Sequence, residues 1–174
     1  GKGLWPPLES EKIEIKQVPG SYFPRYFLNL YFLLKLISGD VVIACKPRFP
    51  SYGIALINKV IKKTPVILDV DDDELAQTIP GKNAKLRNFI RSPNGYWTTR
   101  LMHHWRHSAD ATFCVSKFFQ KIYGGVIVPH GRDIKELMPN DYKRENVLND
   151  LGIPLSRKTI GFMGTPQAAK GIHK

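Results

Sequence analysis

Short runs of apolar residues, separated by longer amphipathic stretches, organise most of this chain. Five such runs occur, at 41–44, 65–70, 111–115, 126–128 and 159–163. The first three are apolar without alternation, which is typical of parallel strands buried on both faces. Residues 13–18 alternate apolar and polar side chains instead, and therefore predict a strand with one exposed face.

The stretches between these strands predict helices, at 24–37, 52–61, 84–90, 96–107 and 116–123. Ser116 is placed to cap the last helix. Trp97, Leu101 and Trp105 recur at every fourth position, a stripe that predicts core packing. The helix at 24–37 is apolar nearly all round. It fits burial in the core, which we favour, or a position in a lipid headgroup layer.

Regular alternation of strands and helices predicts the fold class, an α/β protein with a Rossmann-like, open, mostly parallel sheet. Ligands of such sheets bind at the carboxyl ends of the strands. Polarity peaks between residues 139 and 154, so we place one domain at 1–150 and the start of a second at 151–174. We expect the first domain to be incomplete at its amino end and the second to be truncated.

Charge and cysteine usage narrow the partners and the compartment. The chain has 26 Lys and Arg against 15 Asp and Glu, a net charge of +11, which favours anionic partners. Cys45 and Cys114 each end an apolar run, so we expect two buried thiols in a reducing, cytoplasmic compartment. The most apolar stretch, 26–37, is too short to cross a membrane.

Two groups of residues that follow strands carry candidate chemistry. The first is a glycine loop at 160–165 followed by Lys170, where backbone N–H groups and an ammonium could hold phosphate. The second is the acidic run 71–74. Its carboxylates could bind a metal, orient an acceptor hydroxyl or cap the next helix. We expect a helix cap and no metal, because consecutive loop residues seldom converge on one ion.

Several motifs occur in an order that resembles a known family. A strand leads into the Pro-His-Gly-Arg-Asp loop at 129–133 and then into Met138-Pro139. Upstream, residues 109–116 read alanine, aspartate, an apolar run and serine. Downstream come a strand, the glycine loop and Lys170-Gly171. Over residues 40–174 this order resembles the family-4 (group 1) retaining glycosyltransferases of GT-B fold.

The resemblance implies an enzyme that moves a sugar from a nucleotide diphosphate sugar to a carbohydrate or lipid-linked acceptor, with retention and without cofactor or metal. Residues 1–150 would form the acceptor-side domain, and the chain alone should be inactive. Donor-binding residues would be Gly161, Gly164, Thr165 and Lys170. The cleft loop would contain His130, Gly131, Arg132 and Asp133. We assign the catalytic role to Asp71 and Asp72.

Two positions depart from the family pattern. Thr165 or Pro166 stands where many members have an arginine, and Asp71 and Asp72 stand where a histidine is often found. The basic charge suggests peripheral contact with an anionic membrane on its inner face. Two alternatives stay open: a non-catalytic α/β binding module, and a basic nucleic-acid-binding domain. Because no nucleic-acid motif occurs, we expect no nucleic-acid partner.

Three histidines form a further candidate. His103 and His107 share a helical face and His104 lies beside them, but no third ligand for a metal is evident in the sequence. A basic surface is therefore the expected role of this group.

Overall fold

The computed structural model describes residues 14–79, 91–131 and 143–161. The chain divides into two compact units, Gly1–His130 and Gly131–Lys174. The predicted domains, 1–150 and 151–174, stay predictions. Within the described residues no helix is long and apolar enough to cross a bilayer.

The first unit contains a four-stranded, wholly parallel sheet, which confirms the predicted α/β class. Its strands lie in sequential order and are β1 (Val42–Cys45), β2 (Val66–Val70), β3 (Ala111–Cys114) and β4 (Val126–Ile127). Parallel neighbours need long connections, because the chain must return to the same edge before the next strand begins. Each connection here contains at least one helix.

Four of the six described α-helices begin within two residues of their predicted positions, and the other two, Glu74–Gln77 and Arg144–Asp150, were not predicted. In chain order they are α1 (Tyr26–Leu36), α2 (Ile54–Lys62), α3 (Glu74–Gln77), α4 (Tyr96–His104), α5 (Lys117–Tyr123) and, in the second unit, α6 (Arg144–Asp150). A π-helical turn (Phe49–Gly53) precedes α2, and a 3-10 turn (Arg106–Ser108) follows α4. The helix predicted at 84–90 lies outside the described residues.

One face of the sheet carries the hydrophobic core. Ala44, Leu68 and Cys114 point to this face and are at most 2% exposed. Helices α2, α4 and α5 cover it, with core contributions from Ala55, Met102 and Tyr123 respectively. The buried alternate positions of β2 (Val66, Leu68, Val70) run along the centre of this face. We call it the covered face.

The opposite face is more exposed, which corrects the predicted burial of the strands on both faces. Ile43 is 58% exposed, and the register aligns it with Ile67 of β2. Cys45 is exposed as well, so the expectation of two buried thiols is correct for Cys114 only. We call this the open face. Its strands are apolar on both sides, but the helices of the described residues cover one side only.

Two predicted core features lie at the surface. In α4 the Trp97, Leu101 and Trp105 stripe is exposed, whereas Thr99 and Met102 are buried. A repeat of four identifies a helical face but not the direction in which it points. In α1 only Tyr26 is buried, and Phe27, Leu28, Tyr31 and Phe32 are each more than half exposed. The core interpretation of the helix at 24–37 is therefore wrong.

Two predicted strands are not formed in their described parts. Residues 14–18 have no regular secondary structure and are mostly exposed, since no neighbouring strand pairs with them. In the second unit, residues 159–161 likewise form no strand, and Ile160 is fully exposed. Leu148 of α6 is the buried apolar residue of that unit's described part.

Close contacts fix the edges of the sheet. Asp110 accepts hydrogen bonds from Lys59 Nζ and the backbone N–H of Val66, both at 2.8 Å, and so joins α2 to the starts of β2 and β3. Its pKa lies below the usual value chiefly because of the Lys59 hydrogen bond.

Gly125 has a φ of 84°, and a Cβ there would lie 2.1 Å from the carbonyl oxygen of Thr112. Only glycine fits this position.

Candidate functional site

The loops that follow β1 and β2 meet at the carboxyl edge of the sheet. Lys46, directly after β1, has a left-handed backbone with a φ of 78°. Its N–H donates to the carbonyl oxygen of Asp69 at 2.9 Å, which ties the end of β1 to the end of β2. A non-glycine residue in this conformation is unfavourable by itself and is often found at functional sites.

Five charged side chains converge here, and we call them the ionic cluster: Lys46, Arg48, Asp71, Asp72 and Glu74. The ammonium of Lys46 lies 2.7 Å from Glu74 Oε1, 3.3 Å from Asp72 Oδ2 and 3.6 Å from Asp71 Oδ1. Arg48 Nε donates to the other oxygen of Glu74. One lysine therefore contacts all three carboxylates of the cluster.

Glu74 is the buried anchor of the ionic cluster. Its side chain is fully buried, and burial of a lone carboxylate would cost several kcal/mol. Lys46 and Arg48 each bond one of its oxygens, so the buried charge is paired on both sides. The hydrogen bond to Glu74 is the main reason that the pKa of Lys46 is raised.

The predicted catalytic residues lie at the accessible side of the cluster. The side chain of Asp72 is 53% exposed and that of Asp71 is 31% exposed. Asp71 Oδ1 is itself buried and makes no hydrogen bond within the described part of the chain, its closest cation being Lys46 at 3.6 Å. The exposed parts of the two carboxylates can accept hydrogen bonds from hydroxyl groups of a ligand.

The acidic run also forms the predicted helix cap. Asp73 Oδ1 accepts a hydrogen bond from the backbone N–H of Ala76 at 3.0 Å, so the cap at the start of α3 is confirmed. Oxygens of Asp71, Asp72 and Glu74 lie within 4.8 Å of one another, a spacing that suits a cation. The ammonium of Lys46 already contacts these three carboxylates. The expectation of no metal stays a prediction.

The remaining predicted site residues are placed as follows. Ser116 Oγ accepts from the N–H of Phe119 at 3.4 Å and caps α5, as predicted. His130 and Gly131 are exposed. Gly161, in the second unit, is exposed and has no atom near the position of a Cβ. The other donor and cleft residues, Arg132, Asp133, Gly164, Thr165 and Lys170, lie outside the described residues.

Sequence reasoning missed Lys46 and Arg48 and did not distinguish Glu74 from its acidic neighbours. A signal was present, because Lys46-Pro47-Arg48 directly follows the first buried strand, where ligand-binding residues of parallel sheets are found. What the sequence did not indicate is that a glutamate beyond β2 turns inward and pairs with both cations.

His103 of α4 has a structural role. His103 Nδ1 lies 3.1 Å from the hydroxyl of Tyr123, and the two rings pack edge to face. Burial, reinforced by Arg106, lowers the pKa of His103. The described residues contain one group of metal-ligand type, the three acids of the ionic cluster, and no histidine is part of it.

Comparisons with known proteins give no further assignment for this arrangement: no family model, no curated protein and no solved structure matches the chain.

Proposed function

We propose that this chain supplies the acceptor-side part of a retaining glycosyltransferase that uses a nucleotide diphosphate sugar. The observation that carries the proposal is the position of Asp71 and Asp72, which are held beside Lys46 at the carboxyl edge of a parallel sheet. Ligands of open α/β sheets bind at this edge. The order of the sequence motifs from 109 to 171 supports the same family.

In this proposal the accessible oxygens of Asp72 and Asp71 accept hydrogen bonds from hydroxyl groups of the acceptor. One hydroxyl oxygen then forms the new glycosidic bond as the bond from the sugar to the diphosphate breaks, and the hydroxyl proton passes to the carboxylate of Asp72. Lys46, fixed by buried Glu74, sets the positions of both aspartates. Charge on the departing diphosphate is stabilised by the glycine loop, through Gly161, Gly164 and Thr165, and by Lys170.

The charge of the site favours a hydroxylated ligand over a polyanion. Three carboxylates and two cations make the ionic cluster net acidic, so it would repel a phosphodiester backbone. This argues against nucleic acid at the carboxyl edge. Location completes the proposal: the enzyme is cytoplasmic and contacts the inner face of a membrane, where a lipid-linked acceptor would be present.

Acceptor binding by the 174-residue chain tests the proposal directly. We expect saturation-transfer NMR with a panel of hexosides to identify a ligand that the Asp72→Asn variant binds about tenfold more weakly, the usual scale of one charge-assisted hydrogen bond. Asp71→Asn should act in the same direction. Asp40→Asn, which neutralises an exposed aspartate before β1, is the matched control.

Three outcomes contradict the proposal or select an alternative. Unchanged sugar binding in both aspartate variants removes the assigned role of Asp71 and Asp72. Sugar binding without transfer from any nucleotide diphosphate sugar, in the longest form of the protein, favours a non-catalytic binding module. Tight, strongly salt-dependent binding of oligonucleotides, with no sugar binding, favours the nucleic-acid alternative.

A further inference from the structure

A groove between α2 and α4 lies apart from the ionic cluster. It has a volume of about 810 Å³ and an almost wholly apolar lining, to which Phe49, Leu56, Val60, Ile61, Leu101 and Trp105 contribute. Val60 and Ile61 are 70% and 64% exposed, so the groove opens to solvent along α2. Its volume lies in the range of small-ligand sites.

The charged end of the groove is at the opposite edge of the sheet from the candidate site. Helix α2 begins after the turn that follows β1 and ends at Lys62, just before β2. Lys59 and Lys63 line the groove at that end. Lys59 is neutralised by Asp110 at 2.8 Å, whereas Lys63 is fully at the surface. A ligand therefore meets an apolar channel with a basic mouth.

The helices around the groove are basic and free of acids. Helices α1, α2 and α4 contain no Asp or Glu at all, but they carry Lys35, Lys59, Lys62 and Arg100. This bias is stronger than in the chain as a whole, which has 15 acidic residues. A partner that covers this surface must combine an apolar part with negative charge.

Helix α1 continues the apolar surface. The ring of Phe49, which lines the groove, lies 5.9 Å from that of Phe23 and 6.0 Å from that of Tyr26. Lys62 Nζ donates to the carbonyl oxygens of Leu34 and Ile37, at 2.8 and 2.7 Å, so α1 and α2 are held together. The exposed ring of Phe27 lies 5.3 Å from that of Phe23, so the groove and the start of α1 belong to one extended surface, wider than a single small molecule covers.

We propose that this surface binds an anionic phospholipid bilayer and that the groove between α2 and α4 receives one acyl chain, with the anionic headgroup at Lys63. The acyl chain fills the apolar channel, and the phosphate lies at the ammonium of Lys63, which forms no ion pair with a described carboxylate. The proposal assigns residues to the membrane contact of the proposed enzyme, but it does not depend on sugar transfer, because none of its residues belongs to the ionic cluster.

Flotation of the full 174-residue chain with vesicles tests the bilayer contact. We expect binding to vesicles of phosphatidylglycerol and phosphatidylcholine, little binding to phosphatidylcholine alone, and release by salt. Val60→Asp should weaken binding about tenfold, since attachment scales with buried apolar area. Phe118→Asp, at a 58% exposed apolar position on α5, is the control and should have no effect.

A second pair of variants tests the basic mouth. Lys63→Gln should weaken binding roughly threefold to fivefold, the scale of one basic residue at an anionic surface. Lys117→Gln removes an exposed lysine on α5 and should leave binding unchanged. If Val60→Asp fails to fold, Ile61→Ser tests the same wall of the groove.

Quenching of Trp105 tests entry of the acyl chain. In a Trp5→Phe, Trp97→Phe background Trp105 is the one remaining tryptophan, and a nitroxide on the lipid acyl chain should quench it more than a nitroxide on the headgroup. Equal quenching by both labels, or vesicle binding that Val60→Asp leaves intact, overturns the proposal. The proposal is also overturned if the protein binds monomeric dodecyl phosphate but no vesicles, or if it forms a dimer that Val60→Asp dissociates.

Discussion

The covered and open faces of the sheet contain similar residues but have different surroundings. On the covered face Leu68 is fully buried against helices, whereas on the open face Ile43 is 58% exposed. Both are large aliphatic side chains on neighbouring strands. The difference shows that the apolar content of a strand does not determine its burial. Helices pack on the covered face, and no helix of the described residues packs on the open face.

The two faces should therefore differ in energetic weight. A buried side chain makes dispersion contacts on all sides and removes its whole surface from water, whereas an exposed one gains little of either. Mutations at matched positions measure this difference directly.

The largest effect is expected at Gly125, which directly precedes β4 and lies against the backbone of β3. Gly125→Ala puts a Cβ 2.1 Å from the carbonyl oxygen of Thr112 and requires a left-handed alanine. The free energy of unfolding should fall by about 3–4 kcal/mol or more, and chemical denaturation would measure it. Gly124→Ala is the control, since no atom lies near its Cβ position. Equal losses in both variants would show that the close approach of β4 to β3 does not matter.

Leu68→Ala should have the next largest effect. The side chain is fully buried in the core of the covered face, so its truncation leaves a cavity and lowers the free energy of unfolding by about 3 kcal/mol. Urea denaturation monitored by circular dichroism checks this value. A loss below about 1 kcal/mol would mean that the covered face is not the core.

Asn58 is a position at which a substitution should raise the stability of the fold. It lies on α2, is fully buried, and neither its amide nitrogen nor its oxygen has a hydrogen-bond partner in the described part of the chain. Asn58→Leu keeps the branched shape of four side-chain heavy atoms, removes both unsatisfied groups and should raise stability by about 1 kcal/mol. The melting temperature should rise with it. A decrease would show that Asn58 bonds a group such as an internal water.

Ile43→Ala measures the open face. Because Ile43 already contacts solvent, we expect a loss of no more than about 1 kcal/mol, well below that of Leu68→Ala. The same denaturation experiment compares the two variants. Losses of equal size would break the distinction between the faces and indicate that a further layer covers the open face in solution.

His103 is expected to give the smallest effect, visible only as a pH dependence. Its pKa is below 6.5 in the folded chain, so the unfolded chain binds the proton more readily. The stabilising effect of the neutral ring is complete above about pH 6.5 and is lost as the pH falls through the folded pKa. Stability measured from pH 7.5 to 5 should decline less in His103→Gln than in the parent chain. An identical decline in both would contradict this role.

The sequence predicted the fold class well because strands and helices are local patterns. Residues 41–44, 65–70 and 111–115 are each apolar over a whole strand length, and the structure forms β1, β2 and β3 there. Caps are equally local, which is why a cap within residues 71–74 and the Ser116 cap were predicted. The burial of a side chain depends instead on which elements pack against it, and those can be distant in sequence. For that reason Cys45, Ile43 and the Trp97 stripe were assigned to the core when they lie at the surface.

The candidate site was predicted in part, for a related reason. The rule that ligands bind at strand ends identifies Asp71 and Asp72 from the sequence alone. It does not reveal that Lys46 adopts a left-handed backbone or that Glu74 turns inward to pair with it, because both depend on two loops that are distant in sequence. The donor-binding role of Gly161 stays a prediction.

The sequential order of the strands also has a consequence for folding kinetics. Val42 pairs with Val66 and Phe113 with Val126, whereas the central pairing joins Ile67 to Ala111, which is the longest separation of the three. Closing a longer loop costs more chain entropy and slows contact formation. The sheet therefore consists of two nearly local strand pairs, each able to form early, and their association through β2 and β3 is the entropically demanding step of folding.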